Sequence, residues 1–364
     1  MTEKSFIWLR NPKGIEVEVD ASRKDELLKL GYKEVGTHEV VVLRNKPKLN
    51  LSFPSQNQYP FGGYGRIVEL LHECFEFTPE SKNKIYCGYP IPLEKEEGQK
   101  SILITMFEAD KLPKGWKDLL EQFDLIIVPS YWCQKIFTES GTTKPIEVMI
   151  LGTDNFSVIQ PNWFPPFKFL HYNAFSDNKR KGWDLVVKAF VEVFGRQEDM
   201  ELILKGRKHD NESDIKEVPK QPNIRVVIEN MKRNEVEKLQ EEAQCFLFPS
   251  RGEGLGLPPI EMMARGVPTI VTSGSGMSEY AHMGIPIVLT APVESHYDLE
   301  WEDGIAGHWI EPSLDQLKSL MWDVYSHYET YKYKAIENST KIREKYSLDA
   351  QTIRFQEIIT KYGF

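Results

Sequence analysis

Apolar and polar positions alternate along this chain in blocks of two kinds. Short apolar runs fit strands, and longer stretches with apolar residues three or four apart fit helices. From Leu49 onward the two kinds take turns, which is the signature of parallel β-α-β units. The pattern predicts a strand at Leu49–Phe53, a loop over Pro54–Gly65 and a helix at Arg66–Phe75. Strands are expected at Ile102–Phe107, Leu125–Pro129 and Glu147–Leu151, with helices at Gly115–Gln122 and Trp132–Glu139 between them. A second series runs through strand Lys168–Tyr172, helix Trp183–Phe194, strands Glu201–Lys205 and Arg225–Ile228, and helix Asn234–Ala243. It continues with strand Cys245–Pro249, helix Pro259–Arg265 and strand Thr269–Thr272.

Ahead of both series, Ile15–Val19 and Glu39–Leu43 read as short strands around a helical segment, Arg23–Leu30. Behind them the chain ends in long helical sequence, Leu314–Tyr346 and Leu348–Tyr362, broken near Ser347. Between the series, Asn155–Phe167 carries Pro161, Pro165 and Pro166 beside Trp163 and Phe164, a composition that marks a linker. The expected fold is α/β: two Rossmann-like domains facing a central cleft, with an added N-terminal β/α element. Residues 1–44 would form that element, 45–160 the first domain and 161–345 the second. Residues 346–364 would form a helix that crosses back to the first domain.

Composition agrees with this division. At 364 residues, 41% hydrophobic and 27% charged, the chain is long enough for two cores and too long for one ordinary core. The N-terminal stretch MTEKSFIWLRNPKG lacks the apolar run of a signal peptide, and no stretch approaches the length of a membrane span, so a cytoplasmic protein is expected. Cys74, Cys87, Cys133 and Cys245 are scattered and form no Cys-x-x-Cys pair, so neither a zinc site nor a disulfide framework is indicated. A formal net charge of −9 argues against general binding to nucleic acid or anionic membrane. The densest basic cluster, Asn178-Lys179-Arg180-Lys181, stands at the start of a predicted helix.

The most informative segment runs from Ser250 to Glu261, after an apolar strand and into a helix. Gly254 and Gly256 let backbone N–H groups come close to a ligand, with Leu255 and Leu257 between and after them. Pro258 or Pro259 suits the first turn of a helix whose N-terminus attracts phosphate. Glu253 lies before that helix and Glu261 is expected within its first turn, so two carboxylates bracket an anion seat. Carboxylates repel phosphate and accept from hydroxyls, and a sugar nucleotide has hydroxyls on both sides of its diphosphate.

The form E-G-x-G-x-P-x-x-E followed by M-A-R-G-x-P-x-I-x-T resembles the retaining glycosyltransferases of family 4, which have the GT-B fold. That resemblance gives Glu253 contact with the transferred sugar and Glu261 the ribose. Lys179-Arg180-Lys181-Gly182-Trp183-Asp184, leading to Ala189-Phe190, is similar to the family's R-K-G-x-D-x-x-x-x-A-F element, whose basic residues bind the donor diphosphate. Lys181 is the foremost candidate and Arg180 its neighbour; the arginine that family members often carry near the position of Phe175 is missing. Phe61-Gly62-Gly63-Tyr64-Gly65-Arg66 resembles the glycine-rich loop that faces donor phosphates and acceptor. Tyr64 and Glu108 fall in the acceptor region, where many members carry a histidine that does not align securely here. Gly274-Ser275-Gly276 fits either a second close-approach loop or an ordinary turn.

The resemblance implies a retaining hexosyltransferase, with the first domain taking the acceptor and the second a nucleoside-diphosphate sugar. No Asp-x-Asp pair occurs in the chain, so the diphosphate is expected to be met by protein groups, with no metal and no cofactor. The same two-domain form also suits a nucleotide-sugar epimerase, a phosphorylase or a binding module without activity. The donor base stays open, and so does the acceptor: a glycan, a lipid-linked sugar, a protein, a small molecule or the modified-base DNA of a phage.

Overall fold

The computed structural model describes residues 46–54, 62–150, 152–153, 157–159, 165–172, 175, 179–208, 210, 212–297 and 305–364, together with three short strands nearer the N-terminus. Those three strands, β1 (Phe6–Arg10), β2 (Glu16–Asp20) and β3 (Lys33–Glu34), form an antiparallel sheet with β1 in the middle. The helix expected at Arg23–Leu30 and the strand expected at Glu39–Leu43 lie outside the described residues.

The next segments are β4 (Lys48–Leu49), α1 (Gly62–Cys74), β5 (Glu76–Phe77), β6 (Lys84–Cys87) and β7 (Ser101–Ile104). They continue with α2 (Trp116–Leu120), β8 (Leu125–Val128), α3 (Tyr131–Glu139) and β9 (Ile146–Val148). Strands β6-β7-β8-β9 make a parallel sheet in sequence order, and a bridge from Ser52 to Lys84 joins the short β4-β5 pair to it. Every residue of β7 and β8 is buried, as parallel strands covered on both faces require. Strand β6 escapes the pattern reading because it is short and opens on a lysine. The strand expected to reach Phe107 stops at Ile104, and the helix expected from Arg66 begins at Gly62. Gly62, Gly63 and Tyr64 are therefore the first turn of α1 and not a loop.

The second domain holds β10 (Phe167–Tyr172), α4 (Trp183–Phe194), β11 (Met200–Gly206), α5 (Glu212–Glu217) and β12 (Ile224–Ile228). After them come α6 (Arg233–Glu242), β13 (Cys245–Phe248), α7 (Leu257–Ala264), β14 (Thr269–Thr272) and β15 (Ile285–Ile287). The six strands are all parallel in the order β12-β11-β10-β13-β14-β15. The chain winds outward to β12 and then returns to lay β13 beside β10. That reversal is a topological switch point, and it opens a crevice at the C-terminal ends of β10 and β13. Helix α4 forms because Trp183, Val186, Val187, Phe190 and Phe194 fall on one apolar stripe and bury together against the sheet.

Two long strands, β16 (Leu289–His296) and β17 (Ile305–Pro312), then form an antiparallel pair that the pattern reading did not foresee. The chain closes with α8 (Leu314–Ser326), α9 (Tyr328–Tyr346) and α10 (Leu348–Lys361). The single helix expected over Leu314–Tyr346 breaks at His327, whose ring nitrogen bonds the Asp323 carbonyl at 3.2 Å and carboxylate at 2.8 Å. Ser347 caps α10 by accepting the Ala350 N–H at 3.2 Å.

One apolar core spans both domains, with Leu51, Ile67 and Ile104 on one side and Phe246, Met262 and Ile342 on the other. Helix α10 joins it: the Phe355 ring lies 5.1 Å from that of Phe75 on α1. Arg354, Lys361 and Tyr362 converge on Glu147 of β9 at 2.9, 2.6 and 2.9 Å. The expected fold class is borne out: α/β, two Rossmann-like parallel sheets, with an additional element at the N-terminus. Among the described residues no helix is long and apolar enough to cross a membrane.

Candidate functional site

Two loops rise from the switch point, one after β10 and one after β13, and they are stitched together. The Arg251 N–H donates to the Arg180 carbonyl at 2.7 Å, and the Ser250 hydroxyl reaches the same carbonyl at 3.2 Å. Gly182, in the left-handed region at φ 76°, presses against the Pro249 carbonyl so closely that a Cβ would lie 2.0 Å from its oxygen. Glycine is the residue that permits both the turn and the contact.

This stitching brings Lys181 and Glu253 together. The Lys181 ammonium donates to both Glu253 carboxylate oxygens, at 2.8 and 3.0 Å, and the Ser250 hydroxyl donates to the first at 2.8 Å. Arg180 lies behind them, almost wholly buried. Its guanidinium donates to the Gly252 carbonyl at 2.6 Å and stands 3.6 Å from Glu253 and 3.8 Å from Glu108 of the first domain.

Arg251 locks the pair of loops. All five of its N–H donors are used: Nε and one terminal nitrogen on Glu311 at 2.5 and 2.9 Å, both terminal nitrogens on Asp184 at 2.8 and 2.9 Å, and a further bond to the Lys179 carbonyl at 2.5 Å. Its two carboxylate partners raise its pKa against the opposing effect of burial. The pattern reading did not single out Arg251. The signal for it is an arginine inside the glutamate motif with an aspartate opening the partner helix. His171, another residue not singled out, sits fully buried inside β10 with Nδ1 2.7 Å from the Leu247 carbonyl. Burial lowers its pKa to about 4, so the ring is neutral beside Lys181, Asp184 and Glu253.

Gly256 caps α7 at φ 84°, and the Tyr280 hydroxyl bonds the carbonyls of Leu255 and Gly256, each at 2.8 Å. A helix start leaves backbone N–H groups without intrahelical acceptors. Here Pro258 and Pro259 remove two of them, which concentrates the donors at Gly256 and Leu257. Glu261 is the fifth residue of α7, one place beyond the first turn in which it was expected. Its carboxylate accepts from the Tyr172 hydroxyl at 3.2 Å, and Gln240 donates to that hydroxyl at 3.0 Å. Burial raises the pKa of Glu261, against the pull of Arg233 and the Tyr172 bond. Glu261 also lines a cavity of about 330 Å³ between the domains, with Arg66, Glu69 and Glu73 of α1 facing Arg233, Val236, Glu237 and Gln240 of α6. Glu253 and Lys181 are not part of that lining.

The first domain meets these loops directly. The Tyr64 hydroxyl donates to the Met106 carbonyl at 3.0 Å and accepts the Met106 N–H at 3.1 Å. Met106 in turn lies so close to Gly254 that a Cβ there would stand 2.7 Å from the methionine Cβ. Ser130, the cap of α3, donates to the Gly254 carbonyl at 2.7 Å. Gly63 at the α1 start faces open space. Gly276 donates its N–H to the Glu253 carbonyl at 2.9 Å and Ser275 accepts the Glu253 N–H at 3.1 Å, so the 274–276 turn packs under the site loop.

The β16–β17 hairpin belongs to the second domain and reaches into the first. Trp309 and Ala306 enter an aromatic core with Phe107, Trp116 and Phe123, and Tyr297 stacks on Phe107 at 5.1 Å. Asp110 and His308 exchange two bonds, Asp110 N–H to the His308 carbonyl at 3.1 Å and His308 N–H to the Asp110 carboxylate at 2.7 Å.

Residues 165–301 match the family model described as glycosyl transferases group 1. A protein of Sulfolobus islandicus rod-shaped virus 1, described as uncharacterized protein 356, is 20% identical over 353 residues, covering 92% of this chain and 96% of its own length. Among solved structures, Anabaena Alr3699/HepE in complex with UDP and glucose superposes with a TM-score of 0.61 at 14% identity, over 86% of this chain and 99% of that one. A chain of the GtfA/B complex gives a TM-score of 0.53 at 14% identity over 72% of this chain, which spans 53% of its length. The chain carries a glycosyl transferases group 1 domain on a GT-B-type fold, and it is a glycosyltransferase.

Proposed function

We propose that this chain is a retaining, metal-independent glycosyltransferase of family 4 that acts in the cytoplasm. It moves a hexose-type sugar from a nucleoside-diphosphate sugar to an acceptor hydroxyl. The observation that carries this reading is the Lys181–Glu253 pair, 2.8 Å apart at the switch point and beside the N-terminus of α7. A lysine there meets the negative charge that grows on the leaving phosphate as the sugar–phosphate bond breaks, and the Gly256 and Leu257 amides meet it from the helix start. Glu253 fixes the lysine and is placed at the transferred sugar. Arg180, bound to the Gly252 carbonyl, steadies both.

Glu261 takes the ribose hydroxyls from the cavity side. Gly62 and Gly63 open α1 toward the phosphates, and Tyr64 and Glu108 border the acceptor. The new bond forms on the face from which the phosphate departs. The leaving phosphate oxygen takes the acceptor proton, so no protein nucleophile and no cofactor are needed. The complex of HepE with UDP and glucose supports a nucleotide-sugar donor.

The test is a panel of nucleotide sugars screened by thermal shift, followed by product analysis on candidate acceptors. One donor is expected to raise Tm and to yield a product of unchanged anomeric configuration. Lys181→Ala is expected to lower turnover by about 10²–10³, the scale of removing one charge-stabilising group. An inverted product, or near-wild-type turnover in the variant, overturns the reading.

A further inference from the structure

Lys205 is the penultimate residue of β11, at the same sheet edge from which the two site loops rise. It is almost fully buried, yet it makes no hydrogen bond and no ion pair among the described residues. Alternate residues of β11 face opposite sides of the sheet. Leu202 and Leu204 join the core under α4 and α8, whereas Ile203 joins the core under α6 and α7. Lys205 shares the face of Ile203. Its partners in register are Tyr172 on β10 and Val227 on β12, both packed on that same face.

The arrangement gives the cleft floor a linear order. Across it lie the α7 N-terminus over β13, then Tyr172 with Glu261 over β10, then Lys205 one strand further, about 4.8 Å on. The 7% of its surface left open includes its ammonium, which can therefore meet a ligand, whereas Met or Leu would fill the same space without a donor. Burial, with Arg207 nearby, lowers the pKa of Lys205, and Asp210 only partly offsets this. The Asp210 carboxylate is itself engaged by the Arg207 N–H at 2.8 Å.

An ammonium offers donors and no acceptor, so it is met by a carbonyl oxygen or an unprotonated ring nitrogen and is opposed by an amino group; uracil and guanine carry ring carbonyls, whereas adenine carries an amino group and no carbonyl. With diphosphate at α7 and ribose at Glu261, the next group along this order is the nucleobase. We infer that Lys205 reads the donor base by donating to a ring carbonyl, selecting uracil or guanine against adenine. This rests on the reading that a nucleoside-diphosphate sugar lies along the cleft.

Calorimetric titration of UDP, GDP and ADP into the full chain and into Lys205→Met tests it. Wild type is expected to bind UDP or GDP at least about 10-fold more tightly than ADP, and the favoured one identifies the base. Lys205→Met is expected to lose roughly 10-fold or more of that affinity while ADP stays within about 3-fold, with Tm close to wild type. Lys205→Gln, which keeps a donor and adds an acceptor, is expected to shift the ratio toward ADP, and it decides the matter should the methionine variant not fold. Equal affinity for all three in wild type, or a uniform loss in the variants, overturns the inference. A wild type that binds none of the three overturns the proposed function instead.

Discussion

In the proposed function, Glu261 ties stability to binding. Burial raises its pKa, so its ionised form is disfavoured in the folded chain relative to the unfolded one. The sign follows: the folded state holds the proton more tightly, and its stability falls as pH rises from the ordinary carboxylate range through the raised pKa. Glu261→Gln is therefore expected to have a Tm at neutral pH equal to or above wild type, measured by scanning calorimetry. The same variant is expected to bind nucleotide about 10- to 100-fold more weakly, the scale of losing a charged hydrogen bond to a hydroxyl. Unchanged affinity would remove the ribose role.

At the scale of elements, the site depends on how tightly two turns are pressed together. Gly182 stands at φ 76° with the Pro249 carbonyl where a Cβ would be. Gly182→Ala adds a left-handed alanine and a backbone clash, and is expected to lower stability by roughly 2–4 kcal/mol by denaturant titration. Activity should fall further than stability, because the clash separates Lys181 from Glu253. A variant with wild-type turnover would show that the contact is dispensable.

Much of this was legible in the sequence, since helix α4, strand β14 and the glutamate segment each carry a local signal: an apolar stripe, an apolar run, glycines before prolines. Arg251 was not legible as a lock because Glu311 lies 60 residues away and meets it only through the hairpin. The hairpin itself was hidden because β16 is largely exposed and has no regular apolar alternation. The α8–α9 break was hidden because His327 interrupts the helix through a side-chain bond to its own preceding turn.

At the scale of the molecule, the two domains share buried apolar surface in two places among the described residues. One is the core that runs from Leu51 through Phe246 to Phe355, and the other is the aromatic cluster that receives Trp309 and Ala306. With so much apolar surface common to both halves, a single calorimetric unfolding transition is expected. Trp309→Ala removes a large buried side chain and should cost about 3–5 kcal/mol. That loss should split the transition or broaden it, as the first domain loosens from the second. Two independent transitions in the wild type would contradict this coupling. The hairpin is thus a clamp as well as a covering: with Tyr297 and Trp309 seated against the first domain, the Glu108 flank of the crevice cannot part without exposing aromatic rings to water.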